Sequence, residues 1–197
     1  MTIRLTLVVA AQEAGGDLRF GSTPGAPLDP RTLRRVRTFA DRLPAFALRY
    51  MAPSTRCRDT AAAMGWDGTV VEPALRDLDM GSWLGRRLDE VAAGDAEALA
   101  SWMSDPDAAP HGGESVGDVC GRAAGWLERL PENAGRVGAV VEQALARAAV
   151  VCALSAPTAS FWRVDVPPLS VVELTGRAGR WNLRMNAVST LALGEDG

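Results

Sequence analysis

The sequence predicts an α/β fold: a single domain built as a three-layer sandwich, with a mostly parallel central sheet between helices. Two observations carry this. Short apolar, β-branched runs of strand length alternate with longer stretches of helical spacing through the first half of the chain, the pattern of parallel strands joined by crossover helices. A chain of 197 residues that is 47% hydrophobic and 23% charged can also bury one sizeable core without disulfide or metal staples.

The elements follow in order. Residues 3–9 form an apolar run that stops at Gln12-Glu13 and then Gly15-Gly16, a buried strand ending in a loop where function is expected. Residues 30–43 have helical spacing, with Asp29 as N-cap and Pro30 at the first helical position. Residues 46–51 are a second strand. Ser54 or Thr55 caps a helix running to residue 64, and residues 68–72 make a third strand before the turn at Pro73. A helical insert at about 85–112, with helices at 88–93 and 96–103 and Asp95 as a cap, is expected to form a lid or flank. An amphipathic helix at 116–130, a strand at 136–141 and a helix at 143–153 follow. Three edge strands, at 161–166, 169–175 and 181–185, complete the reading. No internal repeat or second domain interrupts residues 1–197.

Composition narrows the function classes. A formal charge of -3 and no run of like charge give no long-range attraction to nucleic acid or to a membrane surface, which leaves a small molecule or a protein as the expected partner. The 21 basic residues are all arginine, a bias that fits a GC-rich genome. Cys57, Cys120 and Cys152 are odd in number and widely spaced, so neither a disulfide framework nor a zinc site is expected, and reduced thiols in the cytoplasm fit best. The opening apolar run is too short for a signal peptide or a membrane span. No metal and no cofactor are expected.

Five segments in order carry a resemblance. Thr6-Leu7-Val8 leads to a strand end; Ala52-Pro53-Ser54-Thr55-Arg56 runs on to Thr60-Ala61; Leu75-Arg76-Asp77-Leu78-Asp79-Met80-Gly81-Ser82-Trp83 is the third. His111-Gly112-Gly113-Glu114-Ser115 and Val140-Val141-Glu142-Gln143 are the fourth and fifth. Together they resemble the histidine phosphatase superfamily, the phosphoglycerate-mutase-like group, and come nearest to its small bacterial α-ribazole phosphatase-like proteins. The resemblance spans nearly the whole chain and implies the same α/β sandwich with a cleft at the carboxyl ends of the strands.

It also implies a division of labour: one histidine attacks phosphorus, two arginines clamp the phosphoryl oxygens, a second histidine stabilises charge and an acid protonates the leaving oxygen. Carried over residue by residue, the nucleophile falls on Ala10, its neighbouring arginine on Val9 and the second histidine on Gln143. Those three positions are degenerate. The second arginine falls on Arg56 and the acid on Asp77. The resemblance therefore implies a cleft of near-neutral or negative charge and a pseudophosphatase that binds a small molecule or a protein. The alternative is an enzyme repurposed for non-phosphoryl acid/base chemistry in a biosynthetic pathway, with Asp77, Glu13 or Glu142 as acid or base. Arg56, Gln12, Gln143, Trp83, Glu114 and Ser115 are the candidate binding residues.

The single histidine, His111, lies in a Gly-rich loop and reads as an exposed polar side chain. Cys57 reads as a buried structural thiol rather than an activated one. Among the tryptophans, Trp83 is the best pocket candidate because it follows Asp77, whereas Trp102, Trp126, Trp162 and Trp181 read as core or edge packing.

Overall fold

A computed structural model describes residues 2–12, 19–21 and 28–185. Apolar, β-branched runs become the six strands of one sheet: β1 (Ile3–Val9), β2 (Leu48–Met51), β3 (Val70–Val71), β4 (Arg136–Val141), β5 (Val171–Arg177) and β6 (Arg180–Arg184). Their order is β3-β2-β4-β1-β5-β6. The first four run parallel, and the β5–β6 hairpin closes one edge antiparallel. β1 and β4 are buried on both faces along nearly their whole length, as parallel strands covered by helices must be.

Six α-helices lie among the described residues: α1 (Pro30–Ala40), α2 (Thr55–Ala63), α3 (Leu88–Gly94), α4 (Ala96–Ser104), α5 (Val116–Arg129) and α6 (Gln143–Ala153). Asp29 caps α1 through the backbone N–H groups of Arg31 and Thr32, and Pro30 stands in its first turn. Ser54 caps α2 and Asp95 caps α4. Ser115 and Asp118 form a reciprocal capping box on α5, satisfying N–H groups that have no partner inside a helix. α1 packs on α2 and α5 on α6.

Several strands differ from the sequence reading. Residues 161–166 were expected as a strand, but Thr158–Arg163 is a 3-10 helix. Its apolar content serves burial of Phe161, and with the edge of β1 taken by β5 the segment packs on α6. β5 begins two residues later than expected, because Leu169 takes a left-handed conformation, φ 59°, outside extended geometry. β3 keeps two residues, set by its short pairing with β2. α1 ends at Ala40, with Asp41 as C-cap, rather than continuing to residue 43.

Candidate functional site

The parallel strands deliver their carboxyl ends to one cleft of about 170 Å³, as open α/β sheets do. β1 contributes Gln12, the first turn of α2 contributes Arg56, the segment after β3 contributes Asp77, and the start of α6 contributes Glu142 and Gln143. Trp102 of α4 and Phe161 and Trp162 of the 3-10 helix add an aromatic wall. The helical insert is thus a flank of the cleft.

The centre of the site is an ion pair. Glu142 leaves the end of β4 as the N-cap residue of α6, yet its side chain makes no capping bond to its own helix. The carboxylate turns instead to the first turn of α2. Arg56 donates to both oxygens, Nη2 to Oε2 at 2.6 Å and Nε to Oε1 at 3.3 Å. Ser54 Oγ donates to Oε1 at 2.7 Å, and the Cys57 thiol reaches the same oxygen at 3.7 Å. These donors occupy the carboxylate's hydrogen-bonding capacity, and the positive end of the α2 dipole faces it. The Glu142 side chain is 3% exposed, that of Arg56 31%. Burial opposes the charge on Arg56, but the attraction and hydrogen bond of Glu142 outweigh it and raise the guanidinium pKa further. Burial, reinforced by the Glu142 charge, pushes the Cys57 thiol well up, so it stays a protonated donor.

Apolar residues fill the end of β1. Val9, Ala10 and Ala11 are 1%, 3% and 0% exposed. Their backbones are tied down: Ala10 N–H donates to Val141 O at 2.9 Å and Ala11 N–H to Thr60 Oγ1 at 3.0 Å. Asp77 lines the cleft near enough to Arg56 to add to its stabilisation, and its Oδ1 accepts from Leu78 N–H at 2.9 Å.

The remaining expected residues separate. Gln143 lines the cleft, but its amide Nε2 donates to Val166 O at 3.0 Å. Counting from the end of β4, the side chain that faces Arg56 is thus Glu142, one residue earlier than the position carried over from the sequence. Glu114 accepts from Arg122, Nη2 at 2.6 Å and Nε at 3.0 Å, and pairs with Arg76; it fastens the segment after β3 to α5 and does not line the cleft. Ser115 is consumed by its capping box. Trp83 packs on Phe20 and Trp102, ring centroids 5.2 and 5.9 Å away, behind the residues that line the cleft. Glu13 lies outside the described residues.

His111 is not the exposed side chain expected. It is 2% exposed, its ring 5.1 Å from that of Trp83, because the Gly-rich loop is pressed onto the segment after β3. A Cβ on Gly113 would stand 2.1 Å from Asp79 O, so only glycine permits that approach. His111 Nδ1 accepts from Gly113 N–H at 3.0 Å, and Nε2 has no hydrogen-bond partner. Burial, partly offset by the Asp79 charge, lowers its pKa.

Besides the aromatic wall, two charged lining residues were not foreseen. Arg147 sits one helical turn beyond Gln143, a spacing that places both on one face of α6, and its guanidinium lies 5.8 Å from the centroid of the Phe161 ring. Arg19 donates from Nη1 to Gly85 O at 2.9 Å. Three arginines stand with two carboxylates among the described lining residues. Among the described residues no group of three or more His, Cys, Asp or Glu side chains is arranged to hold a metal ion. No helix is long and apolar enough to cross a membrane.

Comparison with known proteins gives one consistent result. A family profile described as the histidine phosphatase superfamily (branch 1) matches residues 10–188. The curated glucosyl-3-phosphoglycerate phosphatase of Mycolicibacterium vanbaalenii is 36% identical over 78 residues, which are 38% of this chain and only 35% of that protein. The solved structure of a mycobacterial glucosyl-3-phosphoglycerate phosphatase superposes with a TM-score of 0.77 at 25% identity, covering 93% of this chain and 97% of its own. The α-ribazole phosphatase of Shigella flexneri shares the fold, with a TM-score of 0.78 at 22% identity over 92% and 94% of the two chains. The match begins just after β1 and takes in the Arg56 turn, the Asp77 segment and the Glu142 corner, and the chain belongs to branch 1 of the histidine phosphatase superfamily.

Proposed function

We propose that the protein is a pseudophosphatase, a binding protein on the histidine-phosphatase scaffold whose cleft holds a small molecule or one side chain of a protein partner. The observation that carries this reading is the Glu142 carboxylate, buried and bidentately paired with Arg56. By resemblance Arg56 is a phosphoryl clamp, and here the chain supplies its own anion to that clamp. A phosphate ester entering the cleft would have to displace or repel it. Val9 and Ala10 offer neither a nucleophile nor a second clamp, and the single histidine does not line the cleft. Loss of a covalent nucleophile costs roughly six decades of rate, so the phosphatase activity named for the relatives does not carry over. A cleft of about 170 Å³ is below the size that takes a drug-like ligand, which suits a small ligand with a polar head for Arg19 or Arg147 and an apolar body against Trp102 and Phe161.

The test is direct. Purified protein incubated with a generic aryl phosphate shows no turnover and forms no acid-labile phosphoenzyme, and micromolar vanadate leaves its melting temperature unchanged. Turnover that survives purification and vanishes in Asp77→Asn would overturn the reading.

A second reading, an enzyme repurposed for acid/base chemistry, is favoured by one observation: Asp77 and Glu142 both act electrostatically on Arg56 across the same cleft. Complementation of a deletion strain with Asp77→Asn and Glu142→Gln separates the two. Loss of a metabolite with normally folded variants supports the enzyme; full complementation by both supports the binding protein.

A further inference from the structure

α1 carries a second, unrelated constellation. Thr32 and Val36 point into the core, and the opposite side of the helix carries Arg31, Arg34, Arg35 and, just beyond its end, Arg42. All four are exposed. Arg31, Arg34 and Arg35 lie i,i+3 and i,i+4 apart on α1, and Arg42 follows the C-cap Asp41. Together with Thr38, Phe39, Pro168 and Leu169 they line a groove of about 480 Å³ with no acidic side chain among the described residues.

Three features distinguish this groove from a solvated charged face. None of the four guanidinium groups makes an ion pair among the described residues, although i,i+4 Glu-Arg pairs are the ordinary way to settle a surface helix. Arg31 stands i,i+3 and i,i+4 from Arg34 and Arg35, spacings at which like charges destabilise a helix. The first turn of α1 carries no acidic residue, and the nearby carboxylate, Asp29, is committed to the backbone N–H groups of Arg31 and Thr32 and the hydroxyl of Thr32.

We propose that this groove binds a small molecule bearing two or more linked phosphate groups. Guanidinium forks match phosphoryl oxygens bidentately, and four forks lining one groove offer more donors than the oxygens of a single phosphate can take up, which fits a chain of phosphates. Phe39, Pro168 and Leu169 form an apolar wall beside the charges, a place for the organic part of a nucleotide. The Pro168–Leu169 side of the groove is fixed to the end of β1, because Leu169 N–H donates to Val9 O at 3.0 Å. This inference is independent of the cleft's ligand.

Calorimetric titration of the full chain with inorganic triphosphate, a nucleoside triphosphate and orthophosphate tests it. Triphosphate binds one to one and at least tenfold more tightly than orthophosphate, and weakens as salt is raised. Tighter binding of the nucleoside triphosphate identifies a nucleotide; equal binding identifies the phosphate chain alone as the recognised group. The double substitution Arg34→Gln with Arg35→Gln lowers triphosphate affinity at least tenfold, and Arg42→Gln, outside the helix, lowers it by a smaller factor should the double variant fold poorly. Arg56→Gln leaves it unchanged. Triphosphate that binds no better than orthophosphate, that is indifferent to all three α1-side arginines, or that is lost in Arg56→Gln overturns the proposal. So does displacement of triphosphate by a single-stranded oligonucleotide at lower concentration, which would make the groove a nucleic-acid surface.

Discussion

Arg56 and Glu142 are unequal partners, because one can reach water and the other cannot. Replacing Arg56 by Met strands a carboxylate that is 3% exposed, with Ser54 as its remaining strong donor, and the expected cost is about 3 kcal/mol. Glu142→Gln leaves a guanidinium whose exposed portion stays hydrated, and costs about 1 kcal/mol. Urea denaturation of the two variants checks the order, and equal losses would mean that the pair is no more than a surface contact. His111 provides a second measurement at this scale. Its folded pKa is lowered from 6.5 by burial, and a second proton would have to displace the Gly113 N–H from Nδ1. Below pH 6.5 the unfolded chain takes up a proton that the folded chain resists, so stability is full above that pH and falls as pH drops toward the folded pKa. With one imidazole in the chain, an NMR titration gives one curve, with a midpoint below 6.5. His111→Phe flattens the stability profile between pH 7 and the folded midpoint.

Turns and caps set the elements more sharply than strand composition does. The β5–β6 hairpin closes between Arg177 and Arg180 on two residues, Ala178 at φ 50° and Gly179 at φ 75°. Positive φ at both positions is the type I′ geometry that matches the twist of the strands, and Ala is strained there while Asn is favoured. Ala178→Asn is therefore expected to raise stability by about 0.5 to 1 kcal/mol, read from the denaturation midpoint at unchanged slope. No gain would mean that the turn adopts another geometry in solution. The helix boundaries at Asp29, Ser54 and Asp95 were legible because a cap is a local event between a side chain and N–H groups two or three residues away. The segment at 161–166 was misread because a short apolar run is strand or helix according to what it packs on. The segment packs against α6, and Phe161 and Trp162 line the cleft.

Across the whole molecule, stability is graded from the middle of the sheet outward. β1 is paired on both sides, by β4 and β5, and β4 by β1 and β2, whereas β3 has two residues, Val70 and Val71, paired on one side only and 55% and 40% exposed. Hydrogen exchange is expected to follow this order, with the amides of Leu7 and Ala139 opening only by global unfolding and those of β3 exchanging by local fraying. Comparable protection at Val71 and Leu7 would contradict it. The same geometry explains the cleft: parallel strands end on one side, so the residues that leave β1 and β4 meet there whatever their chemistry.

By itself the sequence determined the alternation of strands and helices, the caps, the burial of β1 and the absence of a second histidine, because each is written in neighbouring residues or in composition. It also placed Arg56, Asp77 and Glu142 in motifs whose order along the chain marks the family. The tertiary structure decided what those residues do to one another. That Glu142 rather than Gln143 faces Arg56, that Arg19 and Arg147 add positive charge to the cleft, that Glu114 and Ser115 are spent on holding α5, and that His111 is buried all depend on the direction of a side chain at the end of an element. One residue of shift at a strand-to-helix corner points a side chain to a different partner, and that rotation is fixed by packing between segments far apart in the chain.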